Sequence, residues 1–570
     1  MIGKMTKYSF ILLGNRKDDF LERLRTLGVI DITRSNKPND ACSEKMLADI
    51  NAVKSLVRDL ERGSDARLEE LKAEKAALAK TLADVAPWGE FNLAELEATG
   101  LGIRFFCIRQ KAFKEEWREQ YAIQKVLEDD GKVWFVVVGS CEGFPCKPVA
   151  TPATTASETR SLIDAKDKEI ADYAAQLETR KAEIPSLEKK LTGLQSDLSV
   201  YLAGQKGVAA AEDTLVTFEG FAPSDKDTEL KAAFDVTDGI FWWTEPAVAE
   251  DNPPIEFRNN SFVRMFEPLT DMYGRPAYNG FDPTPYISVF FLLFFAMCMG
   301  DAGYGIILMI AGFLLKKVKS FANLAPLVVT LGAGTVVVGF FFHTFFSMDM
   351  SGWQWIPEGV RKVFVPAKVS EYDGTMVLSL IIGIIHLCLA MTVKAVTAVK
   401  NNGFLNSLGV LGWTLLIVGG VVVGAFALTG VLDSAVTKVV IIVLGIVSAL
   451  GIFLFNNIHR NPLVNIGSGL WDTYNTATGI LGDVLSYLRL YALGLAGGML
   501  GAAFNELAVT ARGDGGFGWI GCILIILVGH TLNIAMAALG AFVHPLRLNF
   551  LEFFKNSGYE GTGHKYNPIK

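Results

Sequence analysis

Charge is scarce in the second half of this chain. Residues 1–250 are rich in Lys, Glu, Asp and Arg, whereas residues 285–545 hold few of them. Of the 570 residues 51% are hydrophobic and only 20% charged, and the mean hydropathy of +0.32 is too apolar for an ordinary soluble protein. A water-facing half therefore precedes a membrane half. A basic stripe is also missing: the net charge is −7, which excludes nucleic acid as a partner. Paired cysteines are lacking. Cys141 and Cys146 are the closest two of seven, and with no second pair at metal or redox spacing the thiols read as reduced, implying no metal and no cofactor. The opening MIGKMTKYSFILLGNRKDDF has no long apolar signal-peptide core, so the N-terminal half is expected in the cytoplasm. A phosphate loop is absent too. Its nearest likeness, EDDGKV at 128–133, lacks the upstream Gly and the following Ser or Thr, so no nucleotide site is expected.

What is present begins with a small α/β unit. KYSFILLG suits a strand, DDFLERLRTLGV a helix and VIDITR a second strand, giving the first part of a proximal module over 1–43. A charged helical run at about 44–86, within a first coiled-coil helix at 44–98, has apolar positions at Val53, Leu56, Val57, Leu60, Leu68, Leu71, Leu78 and Leu82. A distal α/β module follows at 99–150, its clearest strand being GKVWFVVVGS. A second coiled-coil helix covers 151–207. Ile170, Leu177, Ile184, Leu191 and Leu198 repeat every seven residues, and Tyr173, Leu187, Leu194 and Tyr201 fill most of the second seam, with Arg180 the exception. Pro185 should kink it. The two helical runs are each about 60–75 Å long and flank the distal module, which predicts an antiparallel hairpin. TLVTFEGFAP and IFWWTEP then supply strands that complete the proximal module over 208–250. The expected fold class is thus an α+β cytoplasmic half, two α/β modules joined by an antiparallel coiled-coil hairpin, followed by an eight-helix transmembrane bundle.

A Pro/Gly/Asn-rich junction at 251–285 leads into a membrane domain at 286–556 and a cytoplasmic tail at 557–570. Apolar segments fall near 286–300, 303–316, 325–347, 375–399, 404–430, 436–457, 470–510 and 517–553. Eight spans put both termini on one side. Lys316, Lys317 and Lys319, then Lys394 and Lys400, then His459 and Arg460 lie in loops on that side, which the positive-inside rule makes cytoplasmic. The loop at 348–373, with Trp353 and Trp355, lies outside. The last two segments are too long for a bilayer about 30 Å thick, so they are expected to tilt and to wrap a curved neighbour.

Arg489 sits inside LGDVLSYLRLYALGLAGGMLG, with aliphatic residues for about two turns on either side. A guanidinium keeps its proton at accessible pH, and charge at membrane depth persists when it has a partner or a task. The plain alternative is an arginine that snorkels to the interface. Arg547 ends the last segment in a second LRL triplet. Around Arg489 the same helix offers Asp483, Ser486, Tyr487, Tyr491, Asn505 and Glu506, with small residues at Gly494, Gly498 and Gly501 for close helix approach. The facing segment offers His530, Thr531, Asn533 and His544, with Glu552 near its end. Polar groups toward each end and an arginine midway suit two half-paths for an ion, separated by a fixed positive charge. His343 and His386 read as packed polar residues, and Asp301 in GDAGYG as a turn and helix-start residue or a functional acid.

The order of parts, with PTPYISVFFLLFFAMCMGDAGYG, SYLRLYALGLA and HPLRLNFLEFFKNSGYEGTGHKYNP, resembles subunit I of prokaryotic V/A-type rotary ATPases, the counterpart of eukaryotic subunit a. The resemblance covers nearly the whole chain. It implies that Arg489 faces the carboxylate of a rotor ring of small membrane subunits, that Arg547 is the second arginine, and that the soluble half is a stator arm contacting peripheral-stalk subunits and a central-stalk adaptor. It implies a non-catalytic, multi-pass subunit of a prokaryotic cell membrane. Two positions depart from the eukaryotic pattern: Gly497 stands where a His follows the first arginine by eight residues, and Ala537 where an acid precedes the second by ten. His544, three before Arg547, matches. A self-contained secondary transporter would instead predict paired discontinuous helices in two related halves, and no such repeat is visible. A membrane-tethered scaffold would have no need of Arg489.

Overall fold

The computed structural model describes residues 1–33, 40–91, 93–98, 100–129, 131–139, 141, 144–151, 154–210, 214–237, 239–318, 321–353, 356–361, 364–366, 368–369, 371–431, 433–455, 462–512 and 518–569. Lys319, Trp355, His459 and Arg460, invoked above for orientation, lie outside the described residues. Two compact units form. One comprises Met1–Gly14, Gly28–Ile32 and Ala209–Pro568; the other comprises Asn15–Leu27, Thr33–Val208 and Ile569–Lys570.

Helices dominate the second unit. In place of one run at 44–98, the helices Ala41–Arg62 and Ala66–Val85 are separated by a break, and a short helix Leu93–Ala98 stands apart. The break has a local cause. Gly63 ends the first helix with φ 64°, and Asp65 caps the next by accepting from the Leu68 N–H. The returning run is helical over Ala156–Arg180 and Ile184–Lys206, joined by a tight turn at Lys181–Glu183 just before Pro185. The two interruptions face each other: the Glu178 and Lys181 side chains lie beside Gly63. Val57, Leu60, Leu68, Leu177 and Ile184 share one buried cluster there. Tyr173 donates to Asp65 at 2.8 Å, and Lys166 pairs with Glu74 at 2.8 Å. The distal module is an antiparallel sheet of Ile103–Arg109, Lys132–Val138 and Ala122–Asp129, with the Lys132–Val138 strand central, built on Phe106, Val133, Phe135 and Val137.

The first unit opens on the proximal sheet. Its strands run Asp31–Ile32, Leu215–Pro223, Met5–Leu13 and Ile240–Pro246, all antiparallel. The late strands therefore pair with the first one, as expected. Tyr8 and Phe10 bury against Phe234 and Trp242, and the Tyr8 hydroxyl donates to Asp227 at 2.8 Å.

Among the described residues five helical segments are long and apolar enough to cross a membrane: Gly374–Asn402, Leu405–Leu428, Ser434–Leu454, Val464–Arg512 and Gly518–Ser557. Three shorter apolar helices are Thr284–Met299, Ala302–Leu315 and Ala325–Phe341. Their core gathers Phe291, Phe294, Tyr304, Leu387, Tyr487, Leu490 and Phe553. The Val464–Arg512 segment is not regular throughout. Helices Pro462–Ser486 and Leu488–Arg512 meet at a turn centred on Tyr487. The last helix passes Pro545 and widens into a π-turn over Leu548–Phe553.

Asp40 ties two helices of the second unit together. It caps Ala41–Arg62 through the Ser43 N–H at 2.8 Å, and accepts from Tyr201 Oη at 2.5 Å and Gln205 Nε2 at 2.6 Å. The Ser43 hydroxyl, then Tyr201, hold the Asp40 carboxyl down at about 2, and the bond to Asp40 pushes the Tyr201 phenol up to about 12. An unfolded Asp titrates near 4 and an unfolded Tyr near 10. The tether therefore contributes fully between about pH 4 and pH 10; the Asp40 part is lost as pH falls toward 2, the Tyr201 part as pH rises toward 12. Circular dichroism melts of the full chain should show a wild-type-minus-Asp40→Asn difference that is constant across this window and shrinks below pH 4. A difference that persists undiminished at pH 2 contradicts the assignment.

Candidate ion-translocation site

Arg489 lies in the first turn of Leu488–Arg512, two residues past the irregularity at Tyr487. The helix start is fixed by Tyr487, which is fully buried and hydrogen-bonded from its hydroxyl to His386 Nδ1 at 2.9 Å. His386 in turn is sandwiched between Phe290 (4.1 Å) and Phe553 (4.8 Å). The neighbouring helix can come this close because position 383 is Gly: a Cβ there would run into the Tyr487 ring. Arg489 itself is half-buried, and its Nη1 is buried with no hydrogen-bond partner among the described residues. His544 feels the charges of both Arg489 and Arg547, which places the three together, and its Nδ1 is likewise buried without a partner. Arg547 is exposed, on the same stripe of its helix as Met536, Leu539 and Val543.

Two polar clusters lie on either side of the arginine. Toward the C-terminal end of its helix, Tyr304 Oη hydrogen-bonds His530 Nδ1 at 2.7 Å and accepts from Asn533 Nδ2 at 2.9 Å. Asn533 Nδ2 also donates to the Gly497 carbonyl at 2.9 Å, and His530 Nε2 reaches Asn505 Oδ1 at 3.0 Å. Asp301 anchors this cluster. Its carboxylate accepts from the backbone N–H of Gly303 and Tyr304, capping Ala302–Leu315, and from those of Phe346 and Ser347. It is thus a helix-start residue that also clamps a loop, and the loop needs clamping: His343, Phe346 and Ser347 all have positive φ, near 50–60°. A cavity of about 390 Å³ adjoins, lined among others by Asp301, Asp349, Asp373, Tyr491, Gly494 and Gly498.

On the other side Asp483 accepts from Asn556 Nδ2 at 2.8 Å and pairs with Lys555 at 3.3 Å. Glu552 is buried beside it, with Oε2 unpartnered among the described residues. The Ser486 hydroxyl donates to the Gly482 carbonyl of its own helix at 3.0 Å. The π-turn at Leu548–Phe553 carries Asn549 and Glu552, both buried. A second cavity, about 300 Å³, is lined by Lys394, Asn475, Gly479, Asp483, Lys555 and Asn556.

The two cavities touch opposite stretches of Gly374–Asn402. Thr375 lines the first and Lys394 the second, nineteen residues apart, or about 28 Å along a helix axis. That is close to the hydrocarbon thickness of about 30 Å. Of the residues singled out by sequence, Tyr491 lines the first cavity and Asp483 the second; His530 and Asn533 join the Tyr304 cluster; His544 and Arg547 attend Arg489. Glu506 stands exposed on the outer face of its helix and Thr531 bonds its own backbone. Gly494 packs on the Met297 carbonyl and Gly501 on Ser347, whereas Gly498 faces open space. Sequence reasoning missed Tyr304, Lys555 and Asn556. It also read His386 only as packing; its buried ring, stacked between two phenylalanines and paired to a tyrosine beside the arginine, holds the helix start.

Removing the Tyr487 hydroxyl strands a buried imidazole nitrogen. Tyr487→Phe should cost about 1–3 kcal/mol, read as a lower thermal midpoint in detergent. Adding His386→Leu should recover part of that loss, since no polar atom is then stranded. Additive losses in the double variant contradict the pairing.

Sequence comparison places these features in a known group. Residues 141–356 and 477–570, which include both arginines, match the V-type ATPase 116kDa subunit family. The chain is 33% identical over 458 residues to the A-type ATP synthase subunit I of Methanocaldococcus jannaschii, covering 73% of this chain and 64% of that protein. It is 24% identical over 626 residues to the V-type ATP synthase subunit I of Borreliella burgdorferi, covering 100% of this chain and 99% of that one. The V-type ATP synthase subunit I 1 of Treponema pallidum gives 24% over 645 residues, with both chains fully covered. Clusters, apolar helices and matched segments agree: this chain belongs to the V-type ATPase 116kDa subunit family.

Proposed function

We propose that this chain is the membrane stator of a prokaryotic V/A-type rotary ATPase, with Arg489 as the fixed charge that makes a rotor-ring carboxylate release its ion. The observation that carries the reading is the half-buried Arg489, its Nη1 unpartnered among the described residues, in a helical segment whose Asp483 lines one cavity and whose Tyr491 lines the other. The cavity with Asp301, Asp349, Asp373 and Tyr491 serves as the outer half-path, and the cavity with Asp483, Lys394 and Asn556 as the cytoplasmic one. Glu552, Ser486 and His544 continue the cytoplasmic path toward the arginines, and His530 and Asn533 shape the outer one.

The mechanism follows from charge in a medium of low polarity. A carboxyl on a ring helix facing lipid stays neutral, loaded with its ion, because desolvation penalises the anion. Opposite a guanidinium at about 4 Å, an effective dielectric near 20 gives about 4 kcal/mol in favour of the anion, roughly a thousandfold bias toward release. Arginine suits the task because burial discharges lysine far more readily. The ion leaves into one half-path, the ring steps past Arg489, and the carboxyl reloads from the other. A membrane potential adds about 2.3 kcal/mol per charge per 100 mV. The exposed apolar stripe that carries Met536, Leu539, Val543 and Arg547 is the surface that the ring covers.

The remaining parts fit a stator. The eight apolar helices span the membrane with both termini in the cytoplasm, and the last two tilt to follow the ring. The helices at 41–85 and 156–206 form an antiparallel coiled-coil hairpin, an arm that carries the distal sheet to the peripheral stalks, with the proximal sheet beside a central-stalk adaptor.

Arg489→Lys is expected to abolish coupled ion transport by the reconstituted complex, with a loss of at least about a hundredfold, the scale of about 3 kcal/mol, while subunits still co-purify. Fluorescent-dye ion uptake into proteoliposomes measures it. Pumping at the wild-type rate overturns the proposal.

A further inference from the structure

The first unit contains a third cavity that the ion path does not use. Its volume is about 1210 Å³, and its walls come from the start of the proximal sheet, the strand at 240–246, the junction and the end of helix Gly374–Asn402. Lys4, Lys231 and Lys400 line it. Among the described residues none of the three is in an ion pair. Lys4 and Lys400 are exposed and Lys231 half-buried.

Most of the lining acids are already engaged. Asp227 accepts from the Thr6 and Tyr8 hydroxyls, each at 2.8 Å. Asp282 is buried against the N-terminal amine at 2.6 Å and caps with the Thr284 N–H at 3.0 Å. Glu245, exposed on the edge strand, is the remaining carboxylate of the lining. With the N-terminal amine, four cations thus meet three carboxylates in this lining, an excess of one positive charge. The other wall is apolar: Phe281, Tyr286 and Val396 contribute to it, and Val396, one turn before Lys400, is 64% exposed. Cations on one side and exposed aliphatic helix surface on the other suit a molecule with a phosphodiester joined to acyl chains. A free anion would leave the apolar wall wet.

We propose that this cavity binds the headgroup of an anionic phospholipid, with Lys4, Lys231 and Lys400 on the phosphate and the helix surface at Val396 along the first methylenes. The inference rests on the reading that Gly374–Asn402 spans the bilayer with Lys400 at the cytoplasmic interface. Basic pockets at that depth are lipid-recognition sites by electrostatics alone, and lysine stems cover apolar surface while their heads reach phosphate. A lipid seated here would bridge the proximal sheet to a membrane helix inside the one compact unit that holds both.

Titration of the detergent-purified full chain with short-chain phosphatidylglycerol, phosphatidylcholine or inorganic phosphate, with bound ligand counted by native mass spectrometry, tests this. Phosphatidylglycerol should bind at least about tenfold more tightly than phosphatidylcholine, and phosphate should not displace it. The triple variant Lys4→Gln, Lys231→Gln, Lys400→Gln should lose that preference. The matching Lys→Arg triple should keep it, and Lys316→Gln with Lys317→Gln, outside the cavity, should keep it too. Full preference in the Gln triple, equal loss in the Gln and Arg triples, or displacement by phosphate overturns the proposal. The readout is independent of pumping: Arg489→Lys should bind phosphatidylglycerol as wild type does, whatever it does to transport.

Discussion

A cation that cannot discharge, held among aliphatic residues, constrains everything around Arg489. Its burial is half-complete and one of its nitrogens has no partner among the described residues. An unpaired buried charge of this kind costs several kcal/mol, and evolution removes such costs readily by substitution. A surrounding built to keep it is therefore informative. Tyr487 and His386 fix the backbone turn that starts its helix, the aromatic rings of Phe290 and Phe553 fix His386, and glycines at 383 and 494 let neighbouring helices close in. In the proposed function the missing partner is a carboxylate that comes and goes.

In the proposed function the remainder of the apolar helical region keeps water on both sides of that charge without joining the two. Asp301 accepts from four backbone amides, holding a loop of unfavourable φ against the helix at Tyr304. That loop lines the cavity on one side. On the other, the π-turn after Pro545 carries Asn549 and Glu552 inward, and π-turns recur at functional sites because the widened backbone re-aims side chains. Phe294, Tyr487 and Phe553 pack into one buried cluster beside the arginine. Rigid supports and strained connections at one site are what pre-organised electrostatics requires.

Much of this was legible in the sequence because its signals are local. Apolar runs of helical length gave the eight segments at nearly their observed bounds, and the strand pattern of KYSFILL, TFEGFAP and IFWWTEP gave the proximal sheet. Arg489 stood out because one charge in an aliphatic run needs no neighbour to be noticed. What was not legible depends on side chains distant in the chain. Tyr304, His530 and Asn505 are joined across more than two hundred positions, and no periodicity announces it. Lys555 and Asn556 belong to Asp483 only because the π-turn shifts their register. The first helical run was read as continuous since its apolar positions carry on past Gly63; the glycine's left-handed φ and the Asp65 cap, not the apolar pattern, decide the break. Glu506 was grouped with the polar residues by proximity along the helix, yet it faces outward.

The most direct measurement is the sidedness of water along the arginine helix. A chain with its native cysteines replaced would carry Gly479→Cys or Gly498→Cys, two positions where the added side chain meets nothing closer than 3.6 Å and which line the separate cavities. Each is exposed in sealed vesicles of known orientation to a membrane-impermeant thiol reagent, added from one side at a time. The account predicts that Cys at 479 labels only from the cytoplasmic face and Cys at 498 only from the opposite face. Labelling of both from the same side would show a single continuous path and contradict a barrier at Arg489.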